Sequence, residues 1–360
     1  MDNASDEAIS FDESGYCSYC SEAYRLKDKV YLPNSKGEDI LFKLVSKLKE
    51  DNKDKEFDCL MGISGGLDSS YLAYLGTNKW GLRVLAIHVD DGFDTEISKI
   101  NIDKLCKASN IELIIIKPDK AQFDLLTKAY FRAGVPNIAA PQDNVLFASI
   151  YKYMKKYKIK TFLSGGNFAL ESILQKSNTH DTYDIRNIKD INRIYGEGKI
   201  NKLDFISNFQ RDINSILLGI ETLRPLDLIE YNRDRALNEL NEYCGFEYYG
   251  SKHLENTLTK VIQVYWFYNK FKVDKRKSHL SSMIVSNQIT REESLRILEE
   301  PPYKEEIKGD IKEVLSQIGL SMEEFYDIME SPPKQHTEYR TSIYNRYRGI
   351  PLNLYRKLKG

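Results

Sequence analysis

Ten consecutive residues concentrate the groups most able to do chemistry: Met61-Gly62-Ile63-Ser64-Gly65-Gly66-Leu67-Asp68-Ser69-Ser70. Gly65 and Gly66 have no Cβ, so the backbone can turn sharply and come close to an oxyanion. Ser64, Ser69 and Ser70 add hydroxyl donors. The apolar run Phe57 to Met61 reads as a short buried strand, and Tyr71 to Leu75 reads as a helix. A strand, a glycine turn and a helix start together aim free N–H groups at one point, which suits a phosphate. Asp68 reads either as a magnesium ligand beside such phosphates or as an acid that favours the helix dipole. No Gly-Lys-Ser/Thr follows, so this is not a Walker loop, and three spaced glycines for a dinucleotide are also missing.

Three further clusters carry reactive side chains. Cys17 and Cys20 form a Cys-x-x-Cys pair, which suits two thiolates on one zinc ion and is half a site when read alone. Tyr248 to Thr257 brings Lys252, His253 and Glu255 together. Phe271 to Ser282 does the same with Lys275, Arg276 and His279. The apolar stretch Val261–Phe267 separates these two clusters, so both could face one cleft across a helix.

The elements that must position these groups alternate. Val84–Val89 reads as a second buried strand, Leu113–Ile116 and Thr161–Leu163 read as further strands, and Leu223–Leu226 resembles the last strand of a domain of this kind. Gly37–Asp51, Thr95–Ala108, Gln122–Arg132 and Asn144–Tyr157 read as helices. Such alternation predicts an α/β fold with a parallel sheet and right-handed crossovers. Ligands of these sheets bind beyond the carboxyl ends of the strands. Loops 62–70, 88–94 and 164–171, the last holding Gly165, Gly166 and Asn167, lie at such ends. Residues 1–35 read as irregular, and 172–222 as polar without a clear period. The expected organisation is an N-terminal segment with the cysteine pair (1–35), an α/β domain (36–245), a helical substrate-binding region (246–333) and a basic tail (334–360). The tail carries seven basic side chains against one acidic residue, with tyrosines between them. It reads as a solvated or partner-facing segment.

Composition narrows the function classes. The chain has 360 residues, 41% hydrophobic, with a formal net charge of −1. That balance disfavours a general binder of nucleic acid or anionic membranes. No apolar run reaches the ~18–20 residues of a membrane helix, and no basic-then-apolar leader is present. Five irregularly spaced cysteines do not suggest a disulfide scaffold. The cytoplasm is therefore the expected location. Cys59 and Cys106 read as small core residues, and His88 and His180 as structural.

Ser-Gly-Gly-x-Asp-Ser-Ser resembles the PP-loop of the ATP pyrophosphatases. Gly-x-Lys-His-x-Glu at 250–255, Asp-Lys-Arg-x-x-His-Leu-Ser-Ser at 274–282 and Gln288-x-Thr290-Arg291-Glu292-Glu293 resemble, within that superfamily, the N-acetyl sugar amidotransferases (WbpG- and PseA-like). Asp12-Glu13-x-Gly15-x-Cys17-x-x-Cys20 and Gly165-Gly166-Asn167 with Glu171 also fit. The resemblance spans about residues 10–305. It implies a PP-loop domain and cleavage of ATP to AMP and pyrophosphate. An N-acetyl group on a nucleotide-linked or nonulosonic sugar would become an acetamidino group in surface-glycan or flagellar-sugar synthesis. It also implies ATP, Mg2+ and Zn2+ as cofactors and ammonia from a separate glutaminase like that of imidazole glycerol phosphate synthase. No glutaminase site is read in the chain itself.

On this resemblance Ser64, Gly65, Gly66, Asp68, Ser69, Ser70, Gly165, Gly166 and Asn167 bind ATP, and Val89 and Asp90 lie near its adenine or ribose. Lys252, Lys275 and Arg276 bind acidic groups of the sugar or its nucleotide. His253, Glu255 and His279 orient the acetamide or move protons. Family members carry an earlier Cys-x-x-Cys, and Met1-Asp2-Asn3 falls where that pair would end. The zinc set of Cys17 and Cys20 is expected to be incomplete here, or finished by Cys244 or solvent. The competing expectation is a tRNA thiolation or lysidine enzyme on the same loop, with the basic tail as an RNA anchor.

Overall fold

A computed structural model of the chain describes residues 1–349, apart from 4, 5, 7 and 251–253. Five parallel strands form the sheet: β1 (Cys59–Gly62), β2 (Val84–Val89), β3 (Glu112–Ile116), β4 (Thr161–Leu163) and β5 (Glu221–Leu223), in the order β3-β2-β1-β4-β5. β1, β2 and β4 are continuous apolar runs, almost fully buried, as strands covered by helices on both faces must be. The edge strands β3 and β5 are more exposed. From β1 the chain moves outward one way to β2 and β3, then crosses back to β4 on the other side. The switch point therefore lies between the carboxyl ends of β1 and β4, where Leu60 pairs with Phe162 and Met61 with Leu163.

The helices are α1 (Ser18–Val30), α2 (Ser35–Asp51), α3 (Leu67–Tyr74), α4 (Glu96–Ala108), α5 (Lys120–Ala133), α6 (Ala140–Lys156), α7 (Phe168–Glu171), α8 (Ile185–Tyr195), α9 (Asn208–Leu218) and α10 (Arg233–Cys244). Their ends follow local chemistry. Asn34, Thr95 and Asp119 accept backbone N–H groups at the starts of α2, α4 and α5. The second half is helical: Thr257–Lys260, a π-helical stretch Val261–Trp266, Phe267–Phe271, Lys275–Val285, Arg291–Glu299, Ile307–Ile318 and Met322–Glu330.

α3, α4 and α10 pack on one sheet face with Cys59, Met61 and Ala86. α6 covers the other through Ile150, Tyr151 and Met154, against Leu60, Leu85 and Phe162. A third core joins α5 and α8 to the later helices through Phe131, Ile188, Trp266, Leu315 and Phe325. Residues 258–339 thus share a core with helices of the first half.

Three expectations are corrected. Residues 18–30 form a helix whose first turn is capped by Cys17, with Cys20 N–H 3.4 Å from its Sγ. β5 ends at Leu223, because Pro225 has no N–H for a ladder; a 3-10 turn, Pro225–Leu228, takes over. The start of the tail is packed. Lys334 Nζ donates to the Tyr195 hydroxyl at 2.9 Å, Tyr339 is buried, and Arg348 pairs with Asp212 at 2.6 Å.

Candidate active site

A cavity of about 380 Å³ opens at the switch point. That is the size range of small-molecule sites, roughly 300–1,000 Å³. At one end lie Ser64, Gly66, Leu67, Asp68 and Ser69 from the β1–α3 turn and Ser164, Gly165 and Gly166 from the turn after β4. Gly65 has φ +75°, and a Cβ there would stand 2.4 Å from the Ser98 carbonyl oxygen, so only glycine fits. A Cβ on Gly165 would stand 3.0 Å from Ser69 N, which measures how closely the second turn approaches the start of α3. Ser64 Oγ accepts from Gly66 N–H at 3.2 Å and lies 3.3 Å from Ser69 Oγ. No side chain caps α3 at Gly66. The result is a turn of hydroxyls and helix-start N–H groups facing a cavity, suited to an anion. Tyr231 donates its hydroxyl to Asp68 and orients that carboxylate. Arg224 Nε donates to the Gly166 carbonyl at 3.1 Å and pairs with Asp227, steadying the second turn.

A polar chain runs along the cavity from this end to the other. His88, at the end of β2, has Nδ1 2.8 Å from the Ile63 carbonyl and Nε2 2.9 Å from Asp94 Oδ2. Both partners only accept, so the ring satisfies both as imidazolium. Burial opposes that charge, but the Asp94 carboxylate and the Ile63 carbonyl outweigh it, and the His88 pKa is raised. Asn256 Nδ2 donates to Asp91 Oδ1 at 3.1 Å and reaches Asp94 Oδ1 at 3.5 Å. Gln142 Nε2 donates to Asp91 Oδ2, and Thr259 Oγ1 reaches Gln142 Oε1 at 3.4 Å. Burial, with Asp94 nearby, pushes the Asp91 carboxyl up to about 6. Beyond Gln142 stands Asp143, whose burial pushes its carboxyl up to about 7. Leu146, Phe147, Ile150 and Phe162 make an apolar wall.

The expected site residues separate into those the fold brings together and those it does not. Ser64, Gly66, Asp68, Ser69, Val89, Gly165, Gly166, Glu171, Glu255 and His279 line the cavity. Ser64 Oγ is 3.5 Å from Glu255 Oε1, so the second constellation meets the first. His279 Nδ1 is 3.2 Å from the Leu170 carbonyl. Gly65 backs the turn against Ser98. Ser70 is fully buried in α3 and does not reach the cavity. Asp90 turns away and pairs with Lys117 at 3.2 Å, leaving Asp91 to face inward. Asn167 is a buried cap of α7, accepting from Leu170 N–H at 2.9 Å.

Lys275 and Arg276 do not line the cavity. The Lys275 ammonium sits 5.0 Å over the Phe267 ring, and burial lowers its pKa. Arg276 forks onto Asp274 and donates to the Ile297 and Glu300 carbonyls, a structural clamp. Lys252 and His253 lie outside the described residues. His180 is structural, stacked on His336 with ring centroids 4.5 Å apart. His88, in contrast, lines the cavity.

Cys17 is buried and Cys20 half-buried, its thiol pushed up to about 12 by burial and by Cys17. Among the described residues no third metal-binding side chain joins them. Cys244 instead donates to the Leu240 carbonyl at 3.3 Å. Two thiols are half of a structural zinc set, so the donors described do not fit one.

Sequence reasoning missed Asp91, Asp94, Gln142, Asp143, Arg233, Tyr248, Tyr249 and Thr259, all of which line the cavity. Arg233 opens α10 with its guanidinium 5.1 Å from the Tyr248 ring centroid. The Tyr249 hydroxyl accepts the Leu67 N–H at 3.1 Å. The usable signal for Gln142 and Asp143 was a polar pair directly after Pro141 at a helix start.

Among the described residues no helix is long and apolar enough to cross a membrane. A comparison with curated proteins finds no match. Similar solved structures include NMN synthetase from Francisella tularensis, 16% identical over 70% of this chain and 93% of that one, TM-score 0.35. The U34-tRNA thiolase NcsA from Methanococcus maripaludis with its [4Fe-4S] cluster is 18% identical over 79% and 82%, TM-score 0.35. The NH3-dependent NAD synthetase from Campylobacter jejuni is 16% identical over 58% and 93%, TM-score 0.29. Residues 255–352 match a family model described as "LPS biosynthesis protein WbpG-like, C-terminal domain". Glu255, Asn256, Thr259 and His279, which face the cavity beside the glycine turn, fall inside that match. Over residues 255–352 the chain is thus similar to the WbpG-like C-terminal domain.

Proposed function

We propose that this chain is an ATP-dependent amidotransferase that converts the N-acetyl group of a nucleotide-linked or nonulosonic sugar to an acetamidino group. One observation carries the reading. The anion-cradling turn and the WbpG-like residues Glu255, Asn256, Thr259 and His279 line one cavity. An acetamide carbonyl is a poor electrophile, and its oxygen is a poor leaving group. Transfer of AMP to that oxygen gives an O-adenylyl imidate, from which ammonia displaces AMP. The products are an amidine, AMP and pyrophosphate.

The residues fit ATP: Ser64, Ser69 and the start of α3 donate to the leaving pyrophosphate as charge develops on it. Asp68, oriented by Tyr231, is the residue that would hold a magnesium ion arriving with ATP, which would offset charge on the phosphates. Arg233 offers a planar fork for a phosphate or sugar carboxylate. Glu255 and His279 orient the acetamide. The reading keeps the enzyme in the cytoplasm and takes ammonia from a separate glutaminase. The RNA-directed alternative on the same loop would make the basic tail an RNA anchor and Cys17 and Cys20 a sulfur or cluster site; two of the tail's cations, Lys334 and Arg348, are engaged within the fold.

The test is mass spectrometry of a panel of nucleotide-linked N-acetyl sugars after incubation with enzyme, ATP, magnesium and ammonium. A product in which O is replaced by NH identifies the substrate. No such product from any member, with tRNA consumed instead, would overturn the reading.

A further inference from the structure

We infer that Asp143 is the carboxylate that holds the incoming ammonium and takes its proton in the second half of the proposed reaction. The inference rests on that reaction and adds a residue to it. Asp143 stands in the first turn of α6, after Ala140-Pro141. Its position is fixed by its neighbour. Gln142 is tied to Asp91 and Thr259, and Asp91 is tied in turn to Asn256. Asp143 lines the cavity beside Leu146 and Phe147. Among the described residues its carboxylate has no hydrogen bond or ion pair, its N–H alone bonding to the Ala139 carbonyl, and burial pushes the carboxyl up to about 7. A carboxylate desolvated without a partner is costly unless a ligand supplies one.

The chemistry of the cavity says which ligand. The phosphate end gathers the donors Ser64, Ser69, Arg233 and the start of α3, and its carboxylates Asp68 and Glu255 already accept from the Tyr231 and Ser64 hydroxyls. A carboxylate repels phosphate, so Asp143 serves a cationic or hydrogen-bond-donating reactant. Ammonium is the one cationic reactant of the proposed reaction. Ammonium gives one proton to Asp143, and the ammonia nitrogen lone pair then forms the C–N bond to the imidate carbon. A proton passes from the attacking nitrogen to the sugar nitrogen. The C–O bond to AMP breaks, AMP leaves with the electron pair, and the product is an amidinium.

The test separates the two half-reactions in the full chain. Sugar-dependent ATP–pyrophosphate exchange reports adenylation, and amidine formation from ammonium reports the whole. In Asp143→Asn, exchange should stay within about threefold of the unaltered enzyme. Amidine formation should fall by about 10²-fold, with a raised KM for ammonium and an unchanged KM for the sugar. Asp143→Glu should restore part of the loss. Retained exchange also shows that the variant folds. Equal loss of both activities, a raised sugar KM in place of the ammonium KM, or unimpaired amidine formation would each overturn the assignment. Absence of sugar-dependent exchange in the unaltered enzyme would overturn the proposed reaction, and this inference with it.

Discussion

The 62–70 turn and the 271–279 segment carry similar densities of polar side chains, yet they use them in opposite ways. In the turn, Ser64 and Ser69 make only long bonds, to each other, to the backbone and from Ser64 to Glu255, and they face a cavity. In the second segment, Arg276 is clamped by Asp274 and two carbonyls, and Lys275 lies over Phe267. His279 alone of its three expected site residues reaches the cavity. A polar side chain is available to a ligand when its own fold has not already satisfied it. Arg233 and Asp143, which drew no notice in sequence, meet that condition better than Arg276.

The largest expected effect comes from breaking the turn. Gly65→Ala forces a side chain into a left-handed conformation against Ser98 and should reduce pyrophosphate release by ~10²–10³-fold. Asp68→Asn and Ser69→Ala should each lower turnover by about tenfold or more, through lost groups at the same end. Release unchanged in all three would remove the turn from the chemistry.

An arginine pair sharpens the contrast. Arg233→Ala should raise the KM for ATP or the sugar by about tenfold, equivalent to ~1.4 kcal/mol, with a melting temperature near that of the unaltered protein. Arg276→Ala should do the reverse: nearly unchanged KM, and a melting point lower by a few degrees, because the buried Asp274 loses its partner. Exchanged outcomes would reassign the two residues.

The smallest effect concerns the packed tail. His336 is buried, with Nδ1 2.8 Å from Asn187 Oδ1 and Nε2 accepting Asn137 N–H at 3.3 Å. Only the neutral ring suits both bonds. Burial and the stacked His180 lower its pKa to about 3. Since the folded value is depressed below the usual 6.5, this contribution is complete above about pH 6.5 and is lost progressively as pH falls towards 3. The melting temperature should therefore drop on acidification through that window, and His336→Gln should flatten the drop. An identical slope in both proteins would exclude the ring as the cause.

How much of this was legible follows from where the information sits. β2 and β4 were readable because a buried parallel strand is a continuous apolar run bounded by turn residues, and the glycine turn because its spacing is local. α1 was not: Tyr19, Ala23 and Leu26 follow a helical spacing and pack on the core, but only Ala23 is fully buried and polar residues fill the rest of the helix. α9 inverts the usual pattern: Asn208, Asp212 and Asn214 are buried while Phe209 and Leu217 are exposed. Asp91 and Asp143 owe their raised pKa values chiefly to burial, helped at Asp91 by Asp94, and no local spacing reveals burial of a carboxyl. Asp90 and Asp91 are adjacent, and only the register at the end of β2 decides which one faces inward.

The measurement closest to the central claim is the product balance of the purified chain with ATP, magnesium, ammonium and an N-acetyl sugar that it modifies. The account predicts equimolar AMP, pyrophosphate and amidine, with pyrophosphate release dependent on the sugar and sharply reduced in Asp68→Asn. Formation of ADP and phosphate, or AMP and pyrophosphate release indifferent to the sugar, would contradict it.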